Sequence, residues 1–409
     1  NESTSHAIGI YLNDGIGHIP SAPDFLYPNT NRVDAITAGD LNNDLIMDLA
    51  AICSGDSSLV ILLGNGDGTF TKSDSIQLPT EPCELAITDF ENNNSNDVAI
   101  ISRYNSLILC RGNGDGTFQA LESQLIWGTG TDIEITDLNK DAYPDILIGL
   151  GNTPTMSVFM NDGQGNFPVR KGIYTYRTPT SLATGYLDSD DRLDIAIGSG
   201  SWDFDNLFIL LADSGTDYTC TDTISPGSNI RDITVSDLNK DGRDDIVAVD
   251  NYGMYLLQCN DLGQFILVDT LVQEAGFDAR IILSTDLNYD GKEDIVVCRD
   301  YQISIYYNTG TYTSIKTKEA KMMFFELFQN YPNPFNPSTT ITYQIPENGH
   351  VKLDVFNVLG QRVKTLVNDF RNAGIYTVEF DGVGLCSGTY FYKLKAGRFF
   401  QMRKMVYMR

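Results

Sequence analysis

The 409 residues carry 28 Lys and Arg against 54 Asp and Glu, a net charge of −26. So acidic a chain repels nucleic acid and anionic membranes, and no apolar run approaches the roughly 18 residues a membrane helix needs. The length predicts two domains.

The charge is unevenly placed. Residues 311–409 hold 13 basic and 7 acidic side chains, leaving 15 and 47 for residues 1–310, so a composition break falls near 310. The chain opens without Met and without a charged-then-apolar leader, so a removed leader or a missing N-terminal part is expected. None of the seven cysteines, Cys53, Cys83, Cys110, Cys220, Cys259, Cys298 and Cys386, stands in a CxxC pair. They read as buried free thiols, although export would permit disulfides.

The first element is a hairpin, IGIYLNDGIGHI, turning near Asn13 to Gly17. A repeat then takes over. DLNNDLIMD begins at Asp40, DFENNNSND at Asp89, DLNKDAYPD at Asp137, YLDSDDRLD at Tyr186, DLNKDGRDD at Asp237 and DLNYDGKED at Asp286. Successive starts differ by 49, 48, 49, 51 and 49 residues.

A short alternating run precedes each copy, and a β-branched run follows it, such as DVAII or DIVVC. Another apolar run then ends in a Gly- and Asp-rich turn and an aromatic, as in VILLGNGDGTF up to Phe70. Asp-Gly turns between apolar runs need positive φ and signal hairpins. Four short strands in each period of about 49 residues predict propeller blades stacked around a ring. Six acidic loops face seven glycine turns. A seven-bladed ring with an incomplete N-terminal blade is expected; a six-bladed ring closed by an extra hairpin is the alternative.

The acidic loops follow D-x-[DNE]-x-[DN]-x-x-x-D. Oxygen side chains at positions 1, 3 and 5, a carbonyl at 7 and a carboxylate at 9 supply the six or seven hard ligands that Ca²⁺ prefers. A strand follows each loop directly and the closing acid stands at 9, which argues against an EF-hand. About five structural calcium sites are expected, on these residues. The loop Asp237, Asn239, Asp241, Arg243 and Asp245 has Gly242 at its turn, and Asp286, Asn288, Asp290, Lys292 and Asp294 has Gly291. Asp40, Asn42, Asp44, Ile46 and Asp48 keep the ligands with Leu45 at the turn, and Asp137, Asn139, Asp141, Tyr143 and Asp145 do so with Ala142. Asp89, Glu91, Asn93, Ser95 and Asp97 carry a longer side chain at position 3. Tyr186 breaks the fourth loop, which keeps Asp188, Asp190 and Asp194 and is expected to bind weakly or not at all. Asx-turns without metal are the alternative for all of them.

These repeats resemble the FG-GAP/VCBS propellers, which include the ligand-binding head of integrin α chains. The resemblance covers about 8–310 and implies the fold; it leaves function open, because such propellers serve adhesion, carbohydrate binding and occasionally catalysis.

Residues 311–326 read as a linker. Residues 327–409 open with LFQNYPNPFNPST, whose Pro332, Pro334 and Pro337 favour an extended entry. Alternating strands follow, and six or seven in about 80 residues predict a small immunoglobulin-like β-sandwich. The run from Tyr331 to Pro337, VFNVLGQRV at Val355–Val363, SGTYFYKLKAG at Ser387–Gly397 and the closing MRKMVYMR resemble the type A C-terminal sorting domain of the type IX secretion system. That resemblance implies export across the outer membrane, with the secretion machinery as a partner of 327–409, and a secreted or cell-surface location.

The only histidines are His6, His18 and His350, and no GxSxG or HExxH motif is present. An enzyme needs a defined nucleophile or acid–base constellation, and none is recognised. The expected function is a non-catalytic binding or adhesion module for an extracellular glycan or protein. The alternative is a secreted hydrolase or lyase acting on polysaccharide, whose carboxylate pair sequence cannot reveal. Trp202, Asp203, Phe204 and Asp205, in the insertion SGSWDFDN, are the ligand-site candidates, with packing between blades as the alternative for Trp202 and Phe204. Trp127 is expected in the core.

Overall fold

The computed structural model describes residues 6–14, 20, 23–29, 32–119, 121–200, 206–214, 217–259, 264–273, 277–299, 302–310, 322–323, 325–346, 348–397 and 399–408. Trp202, Asp203, Phe204 and Asp205 lie outside the described residues. Among the described residues all the regular elements are β-strands.

The repeats fold as antiparallel sheets in sequence order. Blade 1 (6–29) has two strands; blades 2 to 7 (35–77, 82–125, 130–174, 179–224, 232–273 and 279–323) have four each. First strands of successive blades touch one another from blade 2 to blade 7, so they line the axis and the fourth strands form the rim. Second strands such as Asp97–Ser102 and Asp145–Leu150 are buried along their whole length, which explains their unbroken apolar sequences. Rim strands such as Asp217–Ile224 alternate between exposed and half-buried.

The core is distributed between blades. Leu85, Val98 and Ile100 of blade 3 pack with Ile52, Leu59 and Ile61 of blade 2, while Ala99, Ile101 and Leu107 on the other face of blade 3 pack with Ile133, Ile146 and Ile148 of blade 4. Each such side chain contributes about 1.5–3 kcal/mol, and only a neighbouring blade can supply the burial. The turn aromatics take part: Phe167 meets Phe90 edge-on at 5.2 Å, and Phe70 meets Tyr27 of blade 1 at 5.8 Å.

Hydrogen bonds stitch the inner strands together. Cys83, Thr131 and Thr180 donate to the next blade's carbonyls of Gly130, Pro179 and Ile230 at 3.3, 3.1 and 2.7 Å. Asp132 accepts the amide of Leu182 at 2.6 Å, and Asp232 that of Ile282 at 2.9 Å. All seven cysteines are free thiols, and burial pushes Cys83 and Cys110 up to about 12.

The last blade takes its fourth strand from Met322–Met323, inside the stretch 311–326 that the composition marks as a connection. Glu326–Leu327 already pairs into the C-terminal domain. That domain is a sandwich of a three-stranded sheet (Glu326–Leu327, Ser338–Ile345, Gly374–Asp381) and a four-stranded one (Arg362–Arg371, Gly349–Asn357, Gly388–Ala396, Phe399–Tyr407). Val351, Leu353, Val355, Tyr392, Leu394 and Ile341 fill its core.

The proline-rich entry is strapped across it. Phe335 is buried against Phe380 and Tyr407 at 5.7 and 5.0 Å. Its amide donates to the Val406 carbonyl, and its carbonyl accepts from Met408, both at 3.0 Å. Asn330, also buried, donates its backbone amide to the Tyr392 hydroxyl at 2.8 Å.

Candidate functional site

The ring has two chemically different ends. Each acidic loop joins the first and second strands of its blade, and each glycine turn joins the third and fourth, so both gather at one end. The turns between second and third strands, and the crossings from blade to blade, lie at the other.

At the acidic end, five loops share one conformation. Positions 4 and 6 have positive φ in Asn43 and Leu45, Asn92 and Asn94, Lys140 and Ala142, Lys240 and Gly242, and Tyr289 and Gly291. Holding a leucine or alanine in that region costs energy, so something beyond local preference fixes the shape. The position-1 carboxylate does part of this: Asp237 accepts amides from Asp241 and Gly242 at 3.1 and 2.9 Å. Asp286 does the same for Asp290 and Gly291 at 3.1 and 2.7 Å. The position-5 oxygen accepts the amide of position 7, at 2.8 Å for Asp44 and Ile46 and 2.7 Å for Asn93 and Ser95. The same bond joins Asp141 to Tyr143 at 2.9 Å, and Asp241 to Arg243 and Asp290 to Lys292 at 3.0 Å. The loop that starts at Tyr186 has no positive φ among its residues.

Position 9 has a separate task. Asp48, Asp97, Asp145, Asp194 and Asp294 are fully buried. Each accepts the position-2 amide and an amide at the end of the third strand. For Asp48 the donors are Leu41 and Gly64 at 2.8 and 2.7 Å; for Asp194 they are Leu187 and Ala212 at 3.0 and 2.9 Å. Burial pushes Asp145 and Asp194 up to about 6, with the neighbouring loop carboxylates adding to the effect. Asp194 sits in the broken loop and keeps both bonds, so this pin does not depend on the rest of the pattern.

The donors at positions 1, 3 and 5 are all oxygens, as a hard cation requires. Among the described residues no three His, Cys, Asp or Glu side chains stand grouped as a metal site. A cation here would therefore lean on Asn oxygens, carbonyls and water as well as carboxylates. The loop of Asp89 has a protein cation beside it: the buried Arg111 guanidinium lies 3.1 Å from Glu91 and 3.5 Å from Asp97. Sequence reasoning missed Arg111, although an arginine inside the apolar run LILCRG was a signal.

The opposite end carries aromatics on blades 3 to 5. Trp127 is 69% exposed, because it lies on the crossing between blades and not in a strand, contrary to the core position expected from its apolar neighbours. The Arg170 guanidinium stacks 3.6 Å from its ring centroid and donates to the Leu125 carbonyl at 2.8 Å. Tyr174 and Tyr176, also exposed, meet at 5.0 Å, and Tyr176 stacks on Phe208 at 6.0 Å. Tyr104 adds a further exposed ring.

A third group lies at the axis. Burial pushes Glu84, Glu134 and Asp232 up to about 7, and holds Asp132 above its ordinary range. Glu84, Asp132 and Asp232 stand five residues before a loop and Glu134 three, a signal carried by acidic residues at the start of these inner apolar runs.

Two family models match. The FG-GAP-like repeat matches 89–148 and 137–197, and the secretion system C-terminal sorting domain matches 329–408. Residues 89–197 are FG-GAP-like propeller repeats, and residues 329–408 are a type IX sorting domain. The tail marks the chain for export to the cell surface or the extracellular space through the type IX machinery. No helix among the described residues is long and apolar enough to cross a membrane. No curated protein matches the chain.

Solved structures share the fold of this FG-GAP propeller. A protein from Lactobacillus plantarum matches with a TM-score of 0.54 and 14% identity, over 73% of this chain and 88% of that one. An Agrocybe aegerita lectin, described for specific recognition of non-reducing terminal N-acetylglucosamine, matches with a TM-score of 0.51 and 15% identity, over 76% of this chain and 89% of that one. A functionally unknown protein from Desulfotomaculum acetoxidans matches with a TM-score of 0.50 and 15% identity, over 80% and 98%.

Proposed function

We propose that this exported propeller is a non-catalytic binding module for extracellular glycans, with calcium bracing one end of the ring and the ligand held at the other. The observation that carries the reading is the Trp127 platform. An indole with one face backed by Arg170 and most of its surface in water suits stacking against a sugar ring. Tyr104, Tyr174 and Tyr176 extend that surface over neighbouring blades. The sequence insertion with Trp202 and Phe204 is kept as a further candidate for the ligand site.

Calcium enters as a structural cofactor. Five loops of one shape, with oxygen donors only, sit in a propeller region of strong negative charge. The loop of Asp89 is the weakest candidate, because Arg111 already balances it.

The reading of a polysaccharide hydrolase or lyase asks for a free acid–base pair at a ligand face. Of the carboxylates that burial raises most, Asp132 and Asp232 accept the neighbouring blade's amides, Glu134 accepts from Thr184 at 3.0 Å, and Glu84 accepts the amide of Leu85 at 3.1 Å. Glycan binding by the whole chain, compared with Trp127→Ala, tests the proposal.

A further inference from the structure

The acidic loop of blade 3 differs from the others in what lies beside it. In five blades the position-9 carboxylate accepts an amide at the end of the third strand, from Gly64, Gly112, Asn161, Ala212 and Asn308. The residue just before that amide is Leu63 in blade 2, Met160 in blade 4, Leu211 in blade 5 and Tyr307 in blade 7. In blade 3 it is Arg111. A guanidinium therefore enters at a place that a neutral side chain fills in the other four.

Arg111 is 5% exposed, and its contacts come from two blades. One terminal nitrogen lies 3.1 Å from Glu91 Oε1 and 3.5 Å from Asp97 Oδ2, the side chains at positions 3 and 9. The other donates to the Gly165 carbonyl in the glycine turn of blade 4 and stands 3.8 Å from Glu122. The guanidinium carbon lies 5.9 Å from the centroid of the buried Phe90 ring. A Cβ on Gly165 would stand 2.5 Å from Arg111 Nη1, so the glycine makes room for the group. Arg243 and Lys292 also reach loop carboxylates, Asp241 at 3.3 Å and Asp290 at 3.8 Å, but from position 7 of the loop itself and with their side chains partly in water.

We propose that Arg111 is the resident cation of the Asp89 loop, that this loop takes no calcium, and that the joint between blades 3 and 4 is held by a charge built into the chain. Calcium needs many oxygens converging on one point. Here the oxygens at positions 3 and 9 already face a guanidinium that stays charged at any working pH. A divalent ion between them would meet that charge at close range, with little water to screen it. The ring is therefore uneven in its response to chelation: the loops of blades 2, 4, 6 and 7 lose their cation, and the Glu91–Arg111–Gly165 clamp does not. Trp127 lies on the crossing between blades 3 and 4, and Arg170 on blade 4, so the aromatic platform keeps its support without calcium. The inference rests on the reading of the other loops as calcium sites, and its test separates the two.

Bound calcium per chain, from equilibrium dialysis and elemental analysis of the whole chain, is the first readout. Asp89→Asn is expected to leave the count unchanged, and Asp286→Asn to lower it by one. Arg111→Met, which copies Met160 of blade 4, is expected to raise the count by one, and Asp89→Asn in that background to remove the gain. A count that falls with Asp89→Asn in the parent chain overturns the proposal, as does a folded Arg111→Met variant without the gain. The second readout is amide exchange in chelator over 107–112 and 160–166, expected to stay slow in the parent and to quicken about tenfold in Arg111→Met. A parent that binds no calcium overturns the calcium reading of the other loops. Arg111 is then judged by exchange alone, and equal exchange in parent and variant overturns its role.

Discussion

The side-chain amide of Asn13 donates to the carbonyl of Leu287, 274 residues away, at 2.6 Å. The bond ties the first hairpin to the last acidic loop. It repeats the contact Asn161 makes with Phe90, so ring closure uses the same device as blade-to-blade packing. Asn13→Ala is expected to lower stability by about 1 kcal/mol, read as a lower urea midpoint at unchanged slope. A fall in slope instead would mean that the hairpin detaches separately.

The position-9 carboxylates make a sharper case. Asp145 and Asp194 each accept two backbone amides in a fully buried place. Replacing either by Ala orphans both donors and is expected to cost about 2–5 kcal/mol. The cost should be alike for the two, with or without calcium, although only Asp145 lies in a loop with a complete cation pattern. A much smaller loss at Asp194 would tie the pin to the cation.

Much of this was legible in advance. The fixed phase of acidic loop and glycine turn gives blades, strand order and the seven hairpins, because turn chemistry and period-two patterning are local. What was not legible depends on neighbours. Ile36 and Leu85 are equivalent in sequence, and only the blade ahead decides that one is exposed and the other buried. Trp127 reads as apolar core in LIWGTG, yet its backbone leaves the sheet at that point. Met322–Met323 are too short a run to announce a strand, and pairing with Gln302–Tyr306 defines them. Glu91 passes as a ligand until Arg111 is found beside it.

Calcium binding predicts a specific pattern of stability. Chelation should lower the melting temperature of the propeller by many degrees, and millimolar Ca²⁺ should restore it better than Mg²⁺. Each site occupied at a hundredfold excess over its Kd contributes about 2.7 kcal/mol. Asp241→Ala or Asp290→Ala should reduce the effect in part, and Asp190→Ala, in the loop broken by Tyr186, should change it little. Calorimetry with and without chelator decides; an unchanged transition means the loops are turns only.

The axial carboxylates set a pH dependence of their own. Burial raises Glu84 and Glu134 from 4.5 to about 7, and Asp232 from 3.8 to about 7. The folded state thus binds protons more tightly than the unfolded one. Their stabilising contribution is present in full below about pH 4 and is lost as pH rises through 7. In chelator, so that cation loss does not intervene, the melting temperature should fall between pH 5 and pH 8. Glu134→Gln should flatten the fall, and a rise across this range would contradict the assignment.

The central claim is that ligand binds on the aromatic end, and glycan-array screening of the full chain beside Trp127→Ala tests it most directly. The indole is exposed, so its removal should leave the melting temperature within about 1 °C of the parent. The parent is expected to bind a defined glycan class, and the variant to lose at least about tenfold in affinity, the scale of a stacking contact worth 1–2 kcal/mol. Binding that survives Trp127→Ala unchanged, or no glycan binding by the calcium-loaded parent, would contradict the account.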